Sequence, residues 1–227
     1  MNTNINEAQQ WISQADALLL SASNGLSIAE GYHLFADNDM FRQQFGDYRE
    51  RFGIRSVIQG ASFTYPSEGD RQQFFSRLRQ YWTSDYKPSE VMRHLRRMVA
   101  DKPHFIVTSN GDQHLEKAGY DEQRIFEVEG TFADEFCPDE AYWHRKNTLF
   151  QQFLAQYQDA RLVVVELGIG SLNRLIKLPL MQFVAQHAHV RYITMNLPHE
   201  IYVPEDIQAQ SIALAGDLAT TLQQLIK

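Results

Sequence analysis

The stretch Leu162-Val163-Val164-Val165-Glu166-Leu167-Gly168-Ile169-Gly170-Ser171 decides the fold. Its first half is almost wholly apolar, with three consecutive valines, and lacks the alternation of a half-exposed strand. Such a run marks a strand buried on both faces, which belongs in a parallel sheet covered by helices above and below. The small residues from Gly168 to Ser171 then end it in a tight loop.

The same pattern recurs outward from this point. Ala17 to Leu20 is a second continuous apolar run, preceded by a helical face of Ile5, Ala8, Trp11, Ile12 and Ala15. His104 to Thr108 reads as a strand, Gln113 to Ala118 as a short helix, Ile125 to Val128 as a strand and Asp139 to Tyr157 as a longer helix. Beyond the central run come a helix over Leu175 to Gln186, with Pro179 near its first turn, and strands over Val190 to Met195 and Ser211 to Leu214. Leu218, Leu222 and Leu225 line a last helix. Strands alternating with helices predict an α/β fold, a Rossmann-like doubly wound parallel sheet.

Residues 31–100 break this rhythm. Phe41, Phe45, Tyr48 and Phe52 share one helical face, and Phe74, Phe75, Leu78, Tyr81 and Trp82 share another. Val91, Met92, Leu95, Met98 and Val99 form a third, behind a cap at Ser89. Gly60 to Gly69, rich in glycine and hydroxyl residues, reads as a loop or lid. The expected organisation is therefore a Rossmann-like domain of residues 1–30 and 101–227, with 31–100 as an inserted smaller helical module.

Composition agrees with one large domain or one domain with an insert. The chain has 227 residues, against about 150 per domain as a prior. It is 44% apolar and 22% charged, with a net charge of −7, so neither a disordered chain nor a broad basic nucleic-acid footprint is indicated. No segment reaches the roughly 18 apolar residues of a membrane span, and Met1 to Asn6 shows no signal-peptide pattern. The expectation is a cytoplasmic protein without nucleic-acid or membrane partners. A single cysteine, Cys137, rules out an internal disulfide and the usual cysteine-rich structural zinc sites.

In doubly wound sheets ligands bind beyond the carboxyl ends of the strands. Ser23-Asn24-Gly25-Leu26-Ser27 and Gly168-Ile169-Gly170-Ser171 both follow strands and offer small residues with free amides, suited to a pyrophosphate. Either is also compatible with an ordinary tight turn, and neither completes the G-x-G-x-x-G pattern. His187-Ala188-His189 reads as a surface pair, since no cysteine or carboxylate stands near it. Arg93, His94, Arg96 and Arg97 read as the wet face of a helix.

The segment Thr108-Ser109-Asn110-Gly111-Asp112-Gln113-His114-Leu115-Glu116-Lys117-Ala118-Gly119 is more specific. It resembles the T-Q-N-I-D-x-L-x-x-x-A-G segment of the sirtuins, NAD-dependent deacylases and ADP-ribosyltransferases, with one extra residue between the aspartate and the leucine. Other segments follow in family order. Ser23 to Ser27 resembles the G-A-G-I-S loop, with Gly31 at the glycine that follows. Glu127-Val128-Glu129-Gly130-Thr131 is similar to E-x-H-G-S/T, and Gly168 to Ser171 to the G-T-S loop. Asn196 resembles the asparagine of the I-N segment, and Gly216-Asp217 the start of the closing G-D-x-x-x-x-L-x-x-L. The resemblance covers residues 15–30 and 104–227.

The departures are informative. The four zinc cysteines of most sirtuins are missing, Glu129 stands at the family's catalytic histidine, and His33-Leu34-Phe35-Ala36 replaces P-D-F-R. These features look more like the divergent macrodomain-associated (class M) sirtuins, which transfer ADP-ribose to protein. The resemblance implies NAD as cofactor, no metal, and a protein substrate. It implies cofactor contacts from Ser23, Asn24, Gly25, Ser27, Gly31, Ser109, Gly168, Gly170, Ser171, Asn196 and Asp217.

Three residues would carry the chemistry: Asn110, Asp112 and Glu129. Breaking the nicotinamide–ribose bond builds positive charge on the sugar, so stabilising groups must stand where it develops. Asn110 can hold a water or the ribose hydroxyls, and Asp112 can accept from the nicotinamide amide. Glu129 can orient a hydroxyl, stabilise the sugar cation or act as a base. Their plainer readings are turn and cap residues for Asn110 and Asp112, and a solvated loop carboxylate for Glu129. A zinc-free deacylase and a non-catalytic NAD-binding module remain the alternatives to a transferase.

Overall fold

Strand β1 (Ala17–Ala22) is buried along its whole length because it has a strand on each side and a helical layer on each face. It pairs in parallel with β2 (His104–Thr108) and β4 (Leu162–Leu167). With β3 (Ile125–Glu127), β5 (Arg191–Asn196) and β6 (Ser211–Ala215), these make a six-stranded parallel sheet in the order β3-β2-β1-β4-β5-β6. The computed structural model describes residues 3–135 and 139–227, so Cys137 lies outside the described residues.

Side chains of successive strand residues point to opposite faces. Leu18, Leu20 and Ala22 of β1 enter one core, with Val163, Val165 and Leu167 of β4. Helices α1 (Thr3–Gln14), α2 (Asn24–Ala29) and α10 (Leu218–Leu225) cover it. Ala17 and Leu19 enter the other core with Leu162 and Val164, beneath α8 (Glu140–Tyr157) and α9 (Lys177–Gln186). Inside this second layer, Glu166 accepts from Lys177 at 2.8 Å and from the Thr194 hydroxyl at 2.7 Å, so the buried charges are paired.

Between β1 and β2 run α3 (Asp39–Phe52), α4 (Val57–Ala61) and α5 (Glu68–Arg79), a π-helical turn (Gln80–Ser84) and α6 (Glu90–Val99). Phe41, Phe45, Tyr48, Phe74, Phe75, Leu78 and Trp82 form a third core, which Phe132 completes from the loop after β3. Helix α6 differs: Val91, Met92, Leu95, Met98 and Val99 pack on the sheet beside α10. It serves as the crossover helix that a parallel β1–β2 connection requires. Within 31–100, the helices sharing the aromatic core therefore end near Ser84.

Two stretches read as loops are partly helical. Ser23 to Ser27 forms the start of α2 rather than an open loop, with Ser23 at the cap position. Gly60 lies in α4, so the loop is confined to residues 62–67. Of the hydroxyl residues that suggested a loop, Ser67 acts as a cap, accepting from the Asp70 N–H, and Ser62 donates back to the Ile58 carbonyl at the end of α4. Among the described residues, no helix is long and apolar enough to cross a membrane.

Candidate functional site

The sheet order reverses between β1 and β4, and a crevice opens at the carboxyl ends of these strands, where doubly wound folds bind ligands. The chain enters α2 directly from β1 because the two flanking backbones can touch. The Gly25 N–H donates to the Gly168 carbonyl at 3.1 Å. A Cβ on Gly25 would lie 2.5 Å from that oxygen, and one on Gly168 would lie 2.6 Å from the Gly25 Cα. Gly168 also has φ +61°, a conformation that costs other residues energy.

Two adjoining clefts open here, the first of them walled by this contact. The first has a volume of about 600 Å³ and lies over the ends of β1, β4, β5 and β6. Of the residues singled out in the sequence, Ser23, Asn24, Gly25, Gly168, Gly170, Asn196 and Asp217 line it. The second, of about 430 Å³, faces the helical segment and is lined by Ser23, Asn24, Ser109, Asn110 and Glu129. Ser23, Asn24, Phe35 and Asn173 belong to both walls, so the clefts adjoin. The Asn24 side-chain oxygen is buried there without a hydrogen-bond partner. An orphan acceptor in a crevice is an expected feature of a site completed by a ligand.

Local geometry fixes the walls of the second cleft. The Asn110 side-chain amide donates to the Ser23 carbonyl at 3.1 Å, and the Ser109 hydroxyl to the Ser23 hydroxyl at 2.9 Å. The loop after β2 is thereby stitched to the end of β1. Asn110 keeps its side-chain carbonyl free to accept. Glu129 is exposed in the cleft and makes no side-chain hydrogen bond among the described residues, and the partial desolvation of its carboxyl raises it above the ordinary carboxylate range. A carboxyl so placed can hold or take a proton nearer neutral pH than a solvated one.

Four of the predicted residues line neither cleft. Asp112 is 4% exposed, and its carboxylate accepts from the Ser27 hydroxyl at 2.6 Å and the His114 backbone N–H at 3.0 Å. It stands behind the wall, where the sequence reading placed it at the nicotinamide amide. Ser27 is its partner in that bond. Gly31, at φ +96°, closes the end of α2. Ser171 lines a neighbouring hollow with Leu172 and Arg174 and donates its backbone N–H to Glu200 at 2.8 Å. Asp217 caps α10 by accepting from the Thr220 N–H, besides lining the first cleft.

The sequence reading missed several residues of these walls. Phe35, 59% exposed, stands where the clefts adjoin, and Leu34, Ile58 and Ala61 bring the helical segment to the second cleft. Phe35 lies within the stretch that departs from P-D-F-R, and the one available signal is an aromatic residue in a loop after α2. Asn173 accepts from the N–H groups of Leu175 and Ile176, the turn that leads into α9; an asparagine just ahead of a helix was the available signal. Glu200 lines the first cleft and is held below the ordinary range chiefly by the Ser171 N–H. Among the described residues, no group of three or more metal-ligating side chains is assembled. His187 and His189 instead bond to the carbonyls of Phe183 and Gln158.

No family model matches the chain. A Staphylococcus aureus (strain Mu50) protein named "Protein ADP-ribosyltransferase" is 20% identical, over 95% of this chain and 85% of its own length. A Fusarium oxysporum f. sp. cubense protein named "Probable bifunctional ADP-ribose hydrolase/ADP-ribosyltransferase" is 31% identical over 55% of this chain, which spans only 21% of that relative. A solved structure from "Structural Basis for the Mechanism and Regulation of Sir2 Enzymes" matches with a TM-score of 0.56 at 14% identity, covering 100% of this chain and 97% of the other. Another, from "The Structural basis of Sirtuin Substrate Affinity", matches with a TM-score of 0.59 at 12% identity, covering 100% and 98%. These likenesses, together with the sheet order, show that the chain has the Rossmann-like α/β fold of the sirtuins.

Proposed function

We propose that this protein is an NAD-dependent ADP-ribosyltransferase that acts on a protein substrate. The observation that carries the reading is the pair of adjoining clefts at the sheet's reversal point, one walled by Gly25 and Gly168 and the other by Asn110 and Glu129. The relatives named as ADP-ribosyltransferases support the same chemistry.

The residues present fit NAD. Two joined clefts suit the two halves of a dinucleotide. The glycine contact keeps side chains off the floor of the first cleft, which gives a pyrophosphate access to backbone amides. The orphan Asn24 oxygen supplies an acceptor. Bound NAD supplies a nicotinamide–ribose bond whose cleavage leaves positive charge on the sugar. Asn110, its amide fixed by Ser23, offers a carbonyl that orients a hydroxyl or a water. Glu129 places negative charge beside a cationic centre and can accept the proton of the attacking group. The apolar side chains of Leu34, Phe35 and Ile58 line the same cleft and offer an acceptor side chain a surface to rest on.

Incubation of the full chain with isotope-labelled NAD tests the reading. Release of nicotinamide together with labelled protein in a cell lysate, identified by mass spectrometry, is the expected result. Nicotinamide release that depends on an acylated peptide, with deacylation of that peptide, would overturn the transferase in favour of a deacylase. NAD binding by calorimetry with no release above background would leave a binding module.

A further inference from the structure

We propose that His114 is a positioning residue: a buried imidazolium, donating from both ring nitrogens, that holds Glu30 and Asp112 and through them joins the two walls of the site. The inference rests on the proposed reading of the β2 loop as part of an NAD site.

His114 opens the short helix α7 (His114–Lys117) and is 1% exposed. Its Nδ1 lies 2.9 Å from a Glu30 carboxylate oxygen and its Nε2 lies 2.7 Å from the Trp82 carbonyl. The Trp82 carbonyl only accepts, and so does Glu30 as the carboxylate that the Tyr86 and Ser89 hydroxyls donate to. A neutral imidazole has one donor and one acceptor nitrogen, so it would leave one of these contacts as two lone pairs face to face. The doubly protonated ring satisfies both.

The surroundings favour the charge. The Tyr86 ring stacks on the imidazole at 3.7 Å between centroids, and Tyr32 meets it edge-on at 4.6 Å. Asp112 Oδ2 is 3.7 Å from Nδ1. Burial works against the cation, but the two carboxylates and the Trp82 carbonyl outweigh it and raise His114 above the ordinary histidine value. The titratable groups that face the ring are thus Glu30 from the end of α2, Asp112 from the β2 loop, and Tyr32 and Tyr86 from the segments flanking the aromatic module. Glu30 also accepts from the Tyr86 and Ser89 hydroxyls, each at 2.6 Å.

The cluster spans the parts that shape the clefts. Glu30 follows α2, which carries Gly25. Asp112 sits two residues beyond Asn110 and binds Ser27. Trp82 and Thr83 belong to the π-helical turn, and the Thr83 hydroxyl donates to the Asp112 carbonyl at 3.1 Å. One cation between two carboxylates therefore keeps α2, the β2 loop and the π-turn in register. Without it, two buried negative charges would repel across the same gap.

Two measurements on the full chain test this. Ring ¹⁵N NMR should show both His114 nitrogens still protonated at a pH above the ordinary histidine pKa of roughly 6.5, where a free histidine has lost one proton; an unprotonated nitrogen there overturns the proposal whether or not the protein is an enzyme. In nicotinamide-release assays, His114→Gln should lose about tenfold or more in kcat, and the double variant with Asp112→Asn should be no slower than Asp112→Asn alone. Wild-type release by His114→Gln, or losses that simply add, would overturn the positioning role. If His114→Gln does not fold, Glu30→Gln takes its place: it removes one negative neighbour while keeping shape, and should lower the pH at which His114 titrates relative to wild type. An unchanged titration in Glu30→Gln would overturn the proposal. Intact ring protonation with no nicotinamide release by the wild type would overturn the enzyme reading and leave the imidazolium standing.

Discussion

Gly25 and Gly168 meet backbone to backbone, with the Gly25 N–H on the Gly168 carbonyl at 3.1 Å and no room for a Cβ on either. The contact brings the start of α2 against the end of β4 at the point where the sheet order reverses. It therefore shapes the floor of the first cleft, next to Ser23 and Asn24, which that cleft shares with the second.

Gly168→Ala should damage this contact more than it damages the sheet. The new methyl meets backbone rather than a flexible side chain, and the left-handed φ of +61° adds strain. Overpacking and strain of this kind cost about 1–3 kcal/mol each. The variant should unfold at lower temperature by calorimetry and bind NAD at least about tenfold more weakly, which is about 1.4 kcal/mol. Binding equal to wild type would show that the contact does not hold the dinucleotide.

Asn110→Ala should separate binding from turnover. The side chain contributes one hydrogen bond to the wall, and the glycine contact remains intact. NAD affinity should stay within a few-fold, while nicotinamide release should fall by at least tenfold, about 1.4 kcal/mol of barrier. Parallel isothermal titration and single-turnover assays read the two effects.

Glu129→Gln should flatten the acid side of the pH–rate profile. Partial desolvation raises the Glu129 carboxyl, so the ionised form is gained as pH rises through a value above the ordinary carboxylate range. Release by the wild type should rise across that window and the variant should be slow and insensitive to it. A variant as fast as wild type at neutral pH would assign Glu129 a hydrogen-bonding role that an amide can fill.

Glu116→Gln should stabilise the fold at neutral and mildly alkaline pH. Glu116 is pushed up to about 9, first by burial, then by its hydrogen bond with Glu127 and that residue's charge. In the folded state it stays protonated where the unfolded chain has released its proton, so stability falls as pH rises from about 4.5 towards 9. Glutamine keeps a donor without that dependence. A gain of roughly 1 kcal/mol near pH 8 should appear as a melting temperature about 2–4 °C higher. The gain should vanish near pH 4, where both states of Glu116 are protonated.

The sheet was legible because its signals are local. Leu162 to Leu167 matches β4 residue for residue, and Ser89 caps α6 as its position predicted, accepting from the Met92 N–H. The walls were legible where they are backbone-driven, at Ser23 to Gly25, Gly168 and Asn110. The rest depends on distant pairs. Glu30 and His114 stand 84 positions apart in the chain and Ser27 and Asp112 stand 85 apart, and no periodicity records such a meeting. The hydroxyl-rich stretch after Gly60 also misled, since a serine before a helix, such as Ser67, and a serine in a loop look alike until the N–H it accepts from is seen.

Phe132 has a consequence for exchanging parts between proteins. The aromatic helices leave and rejoin the sheet between β1 and β2, so they resemble a cassette with one entry and one exit. Phe132 belongs to neither end: it follows β3, donates its N–H to the Gly111 carbonyl at 2.8 Å and sets its ring edge-on to Trp82 at 5.5 Å between centroids. Its ring is a peg driven into the cassette from a separate part of the chain. A chimaera that grafts residues 33–84 onto a related sheet must carry the turn around Phe132 as well, or the graft arrives with a hole at its base and the host keeps an exposed aromatic ring.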